Sequence, residues 1–553
     1  MSVMMSPRCR NAAVTAMTAL GLLALISSVF PRLPLWITDN GNKYIVMRNF
    51  AEYGTTAIKH PAPEFFPDGN FHFVCRRGEI RSFYPEYYPV LASYPFRWFG
   101  ERSVIWLSML GSAVSAGLLA LIMKRRFPAA GLLVFATPLF FFSFLLWEMS
   151  WGVCFAAAAW LLLLNKKHFP AGVVLGASLL LREEAYFLVF AFAAALLGDR
   201  EVKSAAKTGA GFICAAFWIW VYQYIAFGHI FGLHGGTYYL NNLPDAADPL
   251  ARQLRLIPWN YWHHLLRFAP FGPQWANLLC LVPIIGAAAA GALTDRKWNG
   301  LKRLLAVAAL TGWGALIFAT VAACRDDNIA FRAAGITGLI ATNPLFLPFY
   351  LNWRRMWLHR NRAIRLSART AAIYILLVPP LLTVNDIGLI YGARHFLAVM
   401  PMLLFLSLRG AKNAAAPRLI PAMLSVVLQC AATLMLIDVS AEAAEMQSAV
   451  WNTADSGVIV TDAFFLPEQT PQLFFGRTVF KLDDGNVDEL IAHLRRQREH
   501  DITLVLSNRY RNISDAGVLK LLAAAPPMTG PIRFNRKPGS GFMDIYILRC
   551  RLK

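Results

Sequence analysis

Thr208 to Gly228 reads TGAGFICAAFWIWVYQYIAFG, a run without a single charge. A helix that crosses the hydrocarbon of a bilayer needs about 20 mostly apolar residues, and this run supplies them unaided. Asn11 to Phe30, Val104 to Met123 and Leu419 to Ile437 meet the same standard. Working outward from these four, roughly thirteen apolar stretches long or nearly long enough to span can be read along the chain. The fold expected is an all-α polytopic membrane bundle of about thirteen transmembrane helices.

Composition agrees. Of the 553 residues 57% are hydrophobic and 15% charged, and the mean hydropathy is +0.46, which no soluble chain of this length carries on its surface. A net charge of +21 would point to nucleic acid if the basic residues formed one patch. They do not: they fall in short clusters between apolar runs, at Arg8 and Arg10, Lys124 to Arg126, Lys166 and Lys167, Arg200 to Lys207, Arg296 to Arg303, Arg354 to Arg369 and Arg409 to Arg418. Every second connection is basic. Lys and Arg in short loops stay cytoplasmic, so the N-terminus is expected inside and the C-terminus outside, in a bacterial-type inner membrane. The first apolar run follows two basic residues but lacks an A-x-A cleavage site, so it reads as a retained anchor.

The expected organisation is a first transmembrane helix (1–30), an extracytoplasmic loop with interfacial helices (31–101), a multi-span membrane domain (102–438) and an extracytoplasmic α/β domain (439–553). In the first loop, Asp39-Asn40-Gly41-Asn42 offers helix caps, and Tyr44, Met47, Phe50 and Ala51 recur at helical spacing until Gly54. A second surface helix is expected in the aromatic stretch from Phe83 to Phe99. The tail predicts strands at Val458 to Asp462, Ile502 to Ser507 and Phe542 to Leu548, with a helix capped at Asn486 with Glu489 and another after Ser514. No Gly-rich phosphate loop follows a tail strand.

Carboxylates beside spans are costly to place, which makes Asp39, Glu148, Glu183, Glu184, Asp326, Asp327 and Asp386 candidates for chemistry. All fall on the extracytoplasmic side of the expected topology. Arg182, Arg394 and His395 are the cations suited to a phosphate there, with Lys43, Arg48, Lys59, Arg76, Arg77 and Arg81 available from the first loop. Such a set suits removal of a proton from an attacking hydroxyl and departure of a phosphate. The plainer readings are a helix cap for Asp39, a solvated turn for Glu148 and an interfacial ion pair for Arg182 with Glu184. His263 and His264 beside Trp262 read as interface anchors. No Cys or His spacing matches a metal site; a divalent cation is unassigned.

Four stretches resemble motifs of the GT-C class of membrane glycosyltransferases, in the style of bacterial protein mannosyltransferases and aminoarabinose transferases. They are Ile37-Thr38-Asp39-Asn40-Gly41-Asn42-Lys43-Tyr44 after the first span, Pro138 to Ser143 with Trp147-Glu148, Leu181-Arg182-Glu183-Glu184-Ala185-Tyr186, and Tyr391-Gly392-Ala393-Arg394-His395-Phe396. The third has Glu183, and the fourth Ala393, where the class usually has Pro. The resemblance implies an inverting transfer from a polyprenyl-phosphate-linked sugar to a lipid, glycan or protein acceptor, among membrane lipids and without nucleic acid. It implies Asp39 as base, Glu148 as a second catalytic acid, donor phosphate on Arg182, Arg394 and His395, and Glu184 and Lys43 in support. A lipid or glycolipid flippase would also want spans, a charged cavity and surface helices. Against it, the two halves show no repeat.

Overall fold

A computed structural model describes residues 6–30, 39–65, 73–76, 78–82, 84–124, 129–231, 249–267, 274–293, 295–323, 338–381, 392–410, 416–454, 457–463, 466, 470–507, 513–534 and 545–553. The chain forms two compact units. The first comprises Met1–Pro31, Ile105–Asp326 and Arg332–Met435, the second Arg32–Val104, Asp327–Phe331 and Leu436–Lys553.

The first unit is helical. Among the described residues five helices are long and apolar enough to cross a membrane: Pro7–Ser28, Glu101–Met123, Val202–Phe227, Asn299–Phe318 and Leu419–Thr453. The four runs singled out in the sequence all lie on these helices. Shorter apolar helices occupy Met149–Leu164, His168–Leu180, Ala185–Gly198 and Leu279–Ala290. Other apolar stretches break into single turns, such as Leu339–Thr342 and Leu347–Tyr350, because Asn343, Pro344 and Pro348 interrupt them.

Outward faces of the long helices carry exposed Met17, Leu25, Trp218, Ile225, Leu304 and Phe318. In water that surface would cost about 25 cal/mol per Å²; against lipid tails it costs nothing. Inside, helices approach through small residues. A Cβ on Gly172 would lie 2.0 Å from the Thr208 carbonyl oxygen, and one on Gly211 2.2 Å from that of Phe169, so His168–Ala177 and Val202–Phe227 touch backbone to backbone. At the far end of Ala185–Gly198, the Asp199 carboxylate takes Arg365 Nε at 2.7 Å and Arg369 Nη1 at 2.6 Å, tying this turn to Arg362–Leu381.

The second unit is built on a five-stranded sheet ordered Thr478–Lys481, Val458–Thr461, Asp501–Ser507, Ile545–Arg551, Ile532–Phe534. The first three strands run parallel and the last two antiparallel to their neighbours. Helices Val487–Arg496 and Asp515–Ala524 pack on it. Ser514 caps the latter by accepting from Gly517 N at 3.2 Å. Asn486 occupies the N-cap of the former but does not bond into the helix. Its Oδ1 accepts from Asp483 N and its Nδ2 donates to the Lys481 carbonyl, so a turn-closing role displaces the expected capping box. The last long strand starts at Ile545, three residues beyond the expected Phe542, which lies outside the described residues.

First-loop residues complete this unit. Ala62 and Phe65 are buried in the same core as Val460, Leu490 and Leu504, and the His60 ring meets the Val479 carbonyl at 3.1 Å. The expected helix spans Asp39–Tyr53 and ends at Gly54, whose φ of +71° suits glycine. The second covers Tyr87–Phe99, and a hairpin between them pairs Phe73–Arg76 with Glu79–Ser82. The helix Ala416–Thr453 is about 57 Å long, well beyond the hydrocarbon thickness. Its final turns place Met446 and Val450 in the core beneath the sheet.

Candidate active site at the helix tips

Three short connections of the first unit meet. The first is the turn before Met149–Leu164. Ser108 Oγ donates to the Leu145 carbonyl at 2.6 Å and sits 3.1 Å from that of Trp147, and Trp151 Nε1 donates to the Leu107 carbonyl. Glu148 therefore sits buried at the N-cap of its helix rather than in a solvated turn. The second is the turn 181–184, between Ser178–Leu180 and Ala185–Gly198. A Cβ on Gly152 would stand 3.0 Å from Arg182 Cγ, so that glycine lets Arg182 lie against the Met149–Leu164 helix.

The third connection is Gly392-Ala393-Arg394-His395. Gly392 has φ +70°, and a Cβ there would meet Pro138 at 2.5 Å. Ala393 follows at φ +48°. Proline is locked near φ −65°, so Ala393 cannot be exchanged for the proline that the resemblance leads one to expect. Two successive left-handed residues turn Arg394 and His395 onto the other two connections.

The side chains form one chain of contacts. Arg182 donates from Nε to Glu184 Oε2 at 2.9 Å, from Nη2 to Glu184 Oε1, and from Nη1 to Glu148 Oε1 at 3.2 Å. His395 Nδ1 lies 2.8 Å from Glu184 Oε1, and Arg394 Nε donates to His395 Nε2 at 3.3 Å. These partners set the tautomer: Nδ1–H donates to the carboxylate while Nε2 accepts. The Arg394 guanidinium lies 5.7 Å from the centre of the Trp147 ring. Among the described residues it pairs with no carboxylate. Tyr374 Oη holds the His395 carbonyl at 2.8 Å.

Charge follows from this geometry. Burial pushes the Glu184 carboxyl up, but Arg182 and the His395 N–H outweigh it and hold the group well below the usual carboxylate range. Burial opposes charge on Arg182 too, and Glu184 with Glu148 overcome it, so its pKa is raised. Burial lowers His395 to about 4 despite the pull of Glu184, with Arg394 and Arg182 adding to the depression. His395 is therefore neutral at pH 7.

His264 packs edge-on to His395 with centroids 5.6 Å apart, and its pKa is lowered by burial and then by its neighbours His395, His263 and Arg394. The pair His263 and His264 is buried, which corrects its reading as an interface anchor. The sequence signal was present in the adjacent Trp262-His263-His264, but nothing in it pointed inward. Tyr374 gave no signal at all.

A cavity of about 30 Å³ lies between Arg182, Glu184, Arg394, His395 and Tyr374, room for about one water and none for a sugar ring. Among the described residues no group of three or more His, Cys, Asp or Glu could hold a metal ion.

Asp39 and Lys43 belong to the second unit. Asp39 opens the helix Asp39–Tyr53, and its side chain lies outside the described residues. Lys43 is buried, with its ammonium 5.6 Å from the centre of the Tyr84 ring. Asp326, Asp327, Asp386 and Tyr391 lie outside the described residues.

No family model matches the chain, and no curated protein matches it. Among solved structures, the crystal structure of ArnT from Cupriavidus metallidurans in the apo state is similar over 97% of this chain and 98% of its own, at 12% identity and a TM-score of 0.39.

Proposed function

We propose that the chain is an inverting glycosyltransferase of the outer face of a bacterial inner membrane, using a polyprenyl-phosphate-linked sugar and a lipid, glycan or protein acceptor. The observation that carries this reading is the Arg394 guanidinium. It is fixed by Trp147 and His395 at a helix tip and pairs with no described carboxylate, which suits the phosphate of a donor whose tail lies in the bilayer.

In this reading Asp39 takes the proton of the acceptor hydroxyl, and the hydroxyl oxygen forms its bond to the anomeric carbon as the bond to phosphate oxygen breaks. The phosphate leaves with the electron pair, and Arg394 stabilises its charge. Arg182 and Glu184 act as positioning residues: Arg182 is engaged by two carboxylates, and neutral His395 passes their orientation to Arg394. Glu148 holds the third edge of Arg182 and is the second acid near the acceptor. In this reading the basic connections face the cytoplasm, with the N-terminus inside and the C-terminus outside.

Equilibrium binding of undecaprenyl phosphate to the full chain in nanodiscs tests the role of Arg394. A charge-assisted hydrogen bond contributes about 1.5–3 kcal/mol, so Arg394→Gln should weaken binding about tenfold to a hundredfold, with Arg394→Lys between. Equal affinity for wild type and Arg394→Gln removes the proposed phosphate site.

A further inference from the structure

The second unit holds a much larger cavity, of about 410 Å³, within the size range of small-ligand sites. Its wall is made by the last turns of Ala416–Thr453, by Arg48, by Glu101 and by the segment ending at Gly476. Three planar polar side chains are linked across it: Gln447 Nε2 donates to Gln472 Oε1 at 2.6 Å, and Gln472 Nε2 donates to Glu101 Oε1 at 2.8 Å. Tyr44 Oη donates to the same carboxylate oxygen at 2.7 Å. Gln447 Oε1 is buried with no hydrogen-bond partner among the described residues, an acceptor that costs stability until a donor reaches it. Trp451 also lines the cavity; the Arg477 guanidinium lies 4.4 Å from its ring centre, and it keeps 40% of its surface exposed.

We infer that this cavity binds a pyranose ring of the glycan acceptor. Amide and carboxylate groups in the wall offer hydrogen-bond donors and acceptors to hydroxyls, and the indole of Trp451 offers an apolar surface to the C–H face of a sugar. An anion is disfavoured because Glu101 is in the wall and Arg48 is already paired with Glu52 at 2.6 Å. A single carboxylate is too little for a metal cation. The word acceptor rests on the transferase reading; sugar binding does not.

Saturation-transfer NMR on the full chain in nanodiscs tests the inference, with methyl β-glucopyranoside, methyl β-galactopyranoside, N-acetylglucosamine and chitobiose as probes. At least one sugar should receive saturation from the protein. Trp451→Ala and Gln447→Ala should weaken that sugar's binding at least tenfold, Asn452→Ala, at an exposed position of the wall, should weaken it less, and Trp218→Ala on the lipid-facing side should leave it unchanged. A transfer-dead Asp39→Asn chain should still bind. Absence of saturation with every probe, or binding unaltered in both Trp451→Ala and Gln447→Ala, overturns the site. Binding by a wild-type chain that transfers no sugar to any acceptor overturns the enzyme reading and leaves the sugar site standing.

Discussion

Replacing Glu184 by Gln removes the charge on which the helix-tip network closes. The carboxylate receives Arg182 through two nitrogens and His395 through one. An amide of the same shape turns an NH₂ toward at least one of those donors. Removing one partner of a buried ion pair costs about 3–5 kcal/mol. Arg182 retains 19% side-chain exposure and keeps Glu148 at 3.2 Å, which reduces the expected loss to about 2–4 kcal/mol.

Thermal denaturation in a fixed detergent at pH 7 should therefore show a clearly lower midpoint for Glu184→Gln than for wild type. The pH dependence follows from the same groups. Glu184 and His395 both have native pKa values below their unfolded ones, so the unfolded chain binds more protons and stability falls as pH falls. The His395 contribution is full above about pH 6.5 and is lost as pH drops through about 4. The Glu184 contribution disappears only below the ordinary value of 4.5. The variant should keep the first loss and lack the second. A variant melting like wild type, or wild-type stability flat between pH 7 and 4, would refute the network as described.

Gly392→Ala adds a Cβ at φ +70° and 2.5 Å from Pro138; a cost of about 1–3 kcal/mol in thermal stability is expected, with weaker undecaprenyl phosphate binding because Arg394 follows in the chain. Asp199→Asn weakens two charge-assisted bonds at the opposite end of Ala185–Gly198. It should lower stability by about 1–3 kcal/mol while leaving undecaprenyl phosphate affinity unchanged, and a loss of both would contradict the separation of the two clusters. Ser514→Ala removes the cap of Asp515–Ala524, and about 1 kcal/mol of lost stability, read by hydrogen exchange of that helix, is expected.

What could be read from sequence was what depends on local pattern. Length and hydropathy located four of the long helices, periodicity with Gly54 bounded the helix Asp39–Tyr53, and β-branched runs marked Val458–Thr461 and Asp501–Ser507. Arg182, Glu184, Arg394 and His395 stood out because charges are expensive beside a span, and the structure brings these four together with Glu148. Contacts between distant segments were not legible. Phe65 in the core of a sheet that begins at Val458, Tyr374 on the His395 carbonyl and His264 beside His395 leave no mark on their own neighbourhoods. The same holds for the left-handed pair Gly392 and Ala393: alanine at φ +48° is imposed by its surroundings.

The central claim, that Asp39 is the base of a sugar transfer fed by a lipid phosphate, is tested most directly by mass spectrometry of envelope lipids and glycans from a deletion strain complemented with wild type or Asp39→Asn. The account predicts a glycan species that disappears on deletion, returns with wild type and stays absent with Asp39→Asn expressed at the same level. An envelope profile unchanged by deletion, or restored in full by Asp39→Asn, would contradict it.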